Sequence, residues 1–114
     1  MLLGLLILFL AVALGGAGLA VLEARGRALP LPVSIWHGVF ALLAIVLLAR
    51  QDIADPHNHL ANGAVLVFML AAAGGLLLFA FRATRQKLPL AVVTLHAAFA
   101  LTAILLLGLG CLKG

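Results

Sequence analysis

The sequence predicts an all-α membrane protein: a four-span, up-down transmembrane helical bundle built from a duplicated two-helix hairpin. Three observations carry this expectation. The first is composition: 67% of the 114 residues are hydrophobic, mean hydropathy is +1.35, and only seven basic and three acidic side chains are present. A soluble domain is about half apolar and about a quarter charged, so both a water-soluble fold and a disordered chain are excluded. The second is the placement of the charges, which leave Met1 to Leu22, Ala28 to Ala49, Leu60 to Phe81 and Leu88 to Leu112 uncharged, stretches of 22, 22, 22 and 25 residues. Roughly 20 apolar residues at 1.5 Å each cross a hydrocarbon layer of about 30 Å, and in lipid only a helix satisfies its own backbone over that distance. The third is an internal repeat, described below.

Span one, Met1 to Leu22, lacks the positive N-terminal region of a signal peptide and is read as a true span. The first connection carries Arg25 and Arg27 against Glu23, and span two follows it. The second connection carries Arg50 against Asp52 and Asp55. Spans three and four are joined by Arg82, Arg85 and Lys87, and Lys113 closes the chain. Five basic residues on one face against two on the other place connections one and three in the cytoplasm and both termini outside. The pI near 10.8 therefore reflects topology signals in a bacterial inner-membrane protein, with lipid as its surroundings and no nucleic-acid partner.

A shift of 59 residues aligns Met1–Asp55 with Leu60–Gly114 without a gap, and 19 of the 55 positions are identical. That density marks a duplication, with repeat 1 over 1–55 and repeat 2 over 60–114 in a single transmembrane domain 1–114. Val33, His37, Phe40, Ala41, Ala44, Ile45 and Leu48 form one helical stripe, and all seven recur unchanged in span four. A face kept alike in both halves is expected inside the bundle. Each repeat holds two spans, so both halves enter the membrane in the same direction and their pseudo-two-fold axis runs along the membrane normal.

Equivalent residues then share a depth. Pro30 and Pro89 suit the first turn of their helices, which puts His37 and His96 roughly 10 Å in from the cytoplasmic end. In an up-down bundle spans two and four are diagonal neighbours, so the two histidines are expected to face each other. Gly15 and Gly16 in span one, and their partners Gly74 and Gly75 in span three, lie at the same depth. Imidazoles on one diagonal and bare backbone on the other leave a slot in the bundle.

A porphyrin with one histidine nitrogen on each side of its iron fits such a slot. On His37, His96 and the four glycines the chain resembles, in architecture, the membrane-embedded b-type cytochromes, four-helix bundles that hold haem between histidines of two helices. The resemblance implies one non-covalent haem b with His37 and His96 as its iron ligands, and Gly15, Gly16, Gly74 and Gly75 beside the ring. It implies aromatic walls from Phe40 and Phe99 and an electron-transfer role with other membrane subunits or a redox partner. Many such proteins carry two histidines on each ligand helix, whereas spans two and four have one each, so a single haem is implied. The acidic groups of the porphyrin are expected at the cytoplasmic end, where Arg25, Arg27, Arg82, Arg85 and Lys87 lie.

Other readings stay open at this stage. The histidines could serve another ligand or a proton relay, or they could be packing residues bonded to Ser34, Thr94 or Thr102 in an accessory subunit of a larger membrane complex. His57 and His59 with Asp52 and Asp55 could bind a divalent metal, although an Asp-Pro turn in a solvated loop accounts for them. A proton-coupled exporter needs a carboxylate inside the membrane, and every acidic residue lies outside the four stretches. Cys111, the one cysteine, excludes an intrachain disulfide and covalent haem attachment, and it reads as a small apolar residue. No nucleophile triad, phosphate loop or carboxylate pair is present, so an electron carrier or subunit is expected ahead of a stand-alone enzyme.

Overall fold

The computed structural model describes residues 1–113; Gly114, the last position of the second repeat, lies outside the described residues. The chain forms four helices, α1 (Leu2–Ala24), α2 (Leu31–Ala54), α3 (His59–Ala83) and α4 (Leu90–Lys113), with no strand among the described residues. All four are long and apolar enough to cross a membrane. Helices of this length measure about 35–38 Å, and the molecule extends 43 × 23 × 18 Å, so the four lie side by side. Each packs against its neighbours in ring order, α1 on α2, α2 on α3, α3 on α4 and α4 on α1, with α3 and α4 the closest pair.

The helices run past the uncharged stretches and take Glu23, Arg50, Asp52, Arg82 and Lys113 into their end turns. Continuing a helix keeps its backbone bonded internally until the chain reaches polar surroundings. The prolines sit one residue earlier than expected. Pro30 is the extended N-cap of α2 (φ −63, ψ 123) and Pro32 occupies the first turn, while Pro89 precedes α4 and its carbonyl accepts from the Val93 N–H at 3.1 Å.

The two cytoplasm-predicted turns are matched residue by residue. After α1, Gly26 N–H donates to Glu23 O (3.0 Å) and Arg27 N–H to Leu22 O (2.9 Å); after α3, Arg85 N–H donates to Arg82 O (3.1 Å) and Gln86 N–H to Phe81 O (2.9 Å). This closure needs a left-handed residue just past the helix. Gly26 takes it at φ 68 and Arg85, 59 positions later, at φ 58. Between the hairpins, Arg82 Nε donates to Leu29 O at 2.8 Å.

At the other end Asn58 caps α3, accepting from the Ala61 N–H at 3.1 Å, and its Nδ2 donates to Gly110 O at 2.9 Å, tying α3 to the end of α4. Gly110 is buried against it, and a Cβ there would stand 3.1 Å from Asn58 Oδ1. Asn58→Ala removes both contacts and is expected to lower stability by about 1–2 kcal/mol, measurable as earlier unfolding in a titration of mixed micelles with denaturing detergent.

Apart from Ala61, the buried core is made of positions 59 apart. Leu5 pairs with Ala64, Phe9 with Phe68, Ala44 with Ala103 and Leu48 with Leu107, all in one cluster. Phe9 and Phe68 stack across the α1–α3 diagonal with ring centroids 3.8 Å apart and planes 11° from parallel. On the other diagonal Ala44 and Ala103 are fully buried, so two large residues from one diagonal meet two small ones from the other. Elsewhere large apolar side chains lie bare on all sides, among them Leu14 at 75% and Leu66 at 66% exposure. That surface is untenable in water and ordinary against lipid chains.

The core occupies only one end of the bundle. From Ala71 toward the arginine-rich end no residue but Leu29 is buried among those described. The conserved-looking stripe is therefore inside only in part: Ala44 and Leu48 are fully buried, but Val33 is 46% and Phe40 44% exposed. A position inside a bundle that has opened is exposed even when its helical phase is right.

Candidate functional site

His37 and His96 are each the seventh residue of their helices, α2 and α4, and so stand at equal depth, about 9–10 Å from the helix start. Their ring centroids are 6.4 Å apart with planes at 83°, edge toward face. They sit seven residues along from Ala44 and Ala103, where the packed core ends.

The glycines expected at this depth are there, against the imidazoles. A Cβ on Gly16 would come within 2.8 Å of His37 Cε1 and 3.3 Å of its Nε2, and one on Gly75 within 3.0 Å of His96 Cε1. Gly16 and Gly75 are thus notches cut for the histidine rings. Gly15 and Gly74 flank them less closely: their Cβ atoms would lie 3.8 Å from His37 Nδ1 and 3.4 Å from His96 Cβ. Spacing alone puts both glycine pairs at the right depth, but only the structure separates the one that bears on each ring.

The two rings differ in their hydrogen bonding. His96 Nδ1 lies 2.7 Å from Ala71 O. If it donates there, Nε2 keeps its lone pair free, the arrangement in which a carbonyl orients a metal-binding imidazole. Val12, the position equivalent to Ala71, presents its backbone to His37, yet His37 Nδ1 is buried with no hydrogen-bond partner. Those carbonyls were invisible to a reading of side-chain types. The shared offset was the available clue, since 12 and 71 are also 59 apart.

The first hairpin is the looser one. An open groove of about 340 Å³ runs between α1 and α2, lined by Leu8, Val12, Gly15, Trp36, His37 and Phe40. Phe40 turns into it and stacks on Trp36 with centroids 5.6 Å apart, instead of walling the interior. Phe99, its counterpart, is half-buried.

A ring-centre separation of 6.4 Å is of the size two imidazoles would have if each gave one nitrogen to an ion at about 2 Å. No three His, Cys, Asp or Glu residues gather into a metal-binding group among the described residues. Two ligands are too few for a bare zinc ion, so an ion here must bring its remaining ligands with it. Asp52, Asp55, His57 and His59 do not converge; Asp55 Oδ1 accepts from the His57 N–H at 3.5 Å in a turn, and Asn62 Nδ2 donates to Pro56 O at 2.9 Å. Cys111 is a free, half-buried cysteine. Ser34 and Thr102 donate to backbone carbonyls four residues earlier, Pro30 O and Ala98 O. No protein-family model, curated protein or solved structure matches this chain.

Proposed function

We propose that this chain is a small integral membrane haem b protein that takes part in electron transfer, with one haem held between His37 and His96. The observation that carries the reading is the pair of imidazoles 6.4 Å apart on opposite helices at the open end of a packed core. Two protein ligands without a third suit an iron whose other four ligands come from a macrocycle. His96 would bind through Nε2 with Nδ1 held by Ala71 O, and His37 through its Nε2 with the Val12 backbone beside the ring. Gly16 and Gly75 hold the rings in place, and beyond them toward the arginine-rich end Leu29 alone is buried among the described residues. When bound, haem supplies reversible one-electron chemistry; the helices supply orientation and an apolar wall.

The reading includes an up-down bundle made of two copies of one hairpin. Connections of four to six residues reach at most about 20 Å, too short to carry the chain back to the start of a parallel helix, and eight of the nine residues of the buried core fall in pairs 59 apart. It also includes cytoplasmic placement of the arginine-rich turns. In a Cys111→Ser background, Asp55→Cys is expected to react with an impermeant maleimide from outside intact cells. Reaction only after the cytoplasmic side is opened would invert the topology.

A second reading, a structural subunit of a larger membrane complex with packing histidines, is favoured by the His96–Ala71 contact, which already provides that ring with a partner. Titration of haemin into the purified chain in detergent separates the two. The haem reading expects saturation at one haem per chain with a doubly ligated spectrum; no saturable binding favours the structural subunit.

A further inference from the structure

A second pocket lies between the two arginine-rich turns, lined by Glu23, Arg27, Leu29, Arg82, Arg85 and Leu88 among others, with a volume of about 340 Å³. Six of the lining residues form three pairs 59 apart, Glu23 with Arg82, Arg27 with Gln86 and Leu29 with Leu88, and Arg85 joins them from the left-handed position of the second turn. The pocket thus sits where the hairpins meet.

Two features set it apart from a solvated charged end. Arg82 is fixed, since its Nε donates to Leu29 O at 2.8 Å, and its remaining guanidinium nitrogens stay available at the pocket. Arg85 occupies a left-handed backbone conformation, φ 58, that its counterpart in the first repeat fills with glycine at φ 68. The closing hydrogen bonds of the two turns are the same, so glycine would serve the turn at 85 equally well and without strain. A strained arginine whose side chain lines a pocket is held there against the turn's own preference.

We propose that this pocket binds a phosphate oxyanion, that of an anionic phospholipid headgroup. Three guanidiniums against one carboxylate give its lining a net charge of +2, and guanidinium forks suit phosphate oxygens. The pocket lies at the ends of four membrane-length helices, at headgroup level, on the face that the basic residues assign to the cytoplasm. Leu29 and Leu88 supply apolar wall for the first carbons of the lipid. None of the lining residues is a histidine of the central pair, so the site stands apart from the haem reading.

The test uses the full chain in nanodiscs of phosphatidylcholine containing a minor share of phosphatidylglycerol, with retained lipid counted by native mass spectrometry. The chain is expected to keep phosphatidylglycerol in preference to phosphatidylcholine. Arg85→Gly should weaken retention about fivefold, the worth of one basic residue at a membrane surface, while leaving thermal stability unchanged or higher. Arg27→Gln should act likewise, Glu23→Gln should strengthen retention, and Arg50→Gln at the other end should change nothing. Displacement of the lipid by millimolar inorganic phosphate assigns the site to free phosphate; resistance to it assigns the headgroup. The proposal is overturned if Arg85→Gly and Arg27→Gln retain the lipid as the parent does, or if Arg50→Gln loses as much. Repeating the assay on His37→Ala protein keeps the outcome separate from that of the haem reading.

Discussion

His37→Ala and His96→Ala are each expected to abolish the absorption spectrum of a doubly ligated haem iron. The two imidazoles approach from opposite helices with centroids 6.4 Å apart, and no third metal-binding side chain gathers with them among the described residues. On the haem reading, loss of one ring leaves the iron with a single protein ligand and no third metal-binding side chain nearby to replace it. His57→Ala and His59→Ala change exposed residues at the opposite end of the bundle and should leave the spectrum as it was. The His96 variant should also be the less stable of the two, because it removes the partner of Ala71 O in addition to the ring; a part-buried hydrogen bond of this kind is worth about 1 kcal/mol. Spectra of the four variants purified side by side check the set. Equal loss on changing His57 or His59 would place the ligands elsewhere.

The second large effect belongs to the glycines, and the structure ranks them. A Cβ at Gly16 meets His37 Cε1 at 2.8 Å, one at Gly75 meets His96 Cε1 at 3.0 Å, and one at Gly15 meets nothing closer than 3.8 Å. Alanine at 16 must push the imidazole aside, an overpacking cost of about 1–3 kcal/mol, and on the haem reading leucine at 16 or 75 should displace the ring entirely and abolish haem binding while the spans still insert. Gly15→Ala gains helix propensity of about 1 kcal/mol with only ordinary contact, so it should keep its haem. Haem per chain, measured on Gly15→Ala, Gly16→Ala and Gly16→Leu, is expected to fall in that order. Equal haem in all three would mean that the notch does not hold His37.

Much of this arrangement was legible in the sequence because the repeat served where periodicity could not. Helices surrounded by lipid carry leucine and valine on every side, so an apolar stripe has little contrast with the rest of the surface. The offset of 59 supplied the missing contrast: it singled out Ala44 with Ala103 and His37 with His96, which line up in the structure, while the Phe9–Phe68 stack at the same offset emerged only there. The pairing of glycines with histidines at one depth was legible for the same reason.

What the sequence left hidden depends on distances between helices. Val33 and Phe40 share the phase of Ala44 and Leu48 yet lie half-exposed, because the bundle is packed at one end and open at the other. Opening is a property of four helices together, and no single span records it. Nor could the sequence distinguish Gly15 from Gly16, a difference set by the 100° turn between adjacent residues. The Arg82–Leu29 tie and the Ala71 carbonyl beside His96 involve backbone acceptors, which every residue carries and which composition therefore cannot mark. The difference between Gly26 and Arg85 was present in the alignment of the repeats, but its meaning required the left-handed φ at both positions.

The most direct test of the central claim is the absorption spectrum of the intact protein, expressed with ample haem supply, purified in mild detergent and recorded oxidised and then reduced. One haem between His37 and His96 predicts a Soret band that shifts and sharpens on reduction, with one haem per chain by extraction. A protein that purifies colourless under those conditions, or whose spectrum survives the double change His37→Ala and His96→Ala, would contradict it.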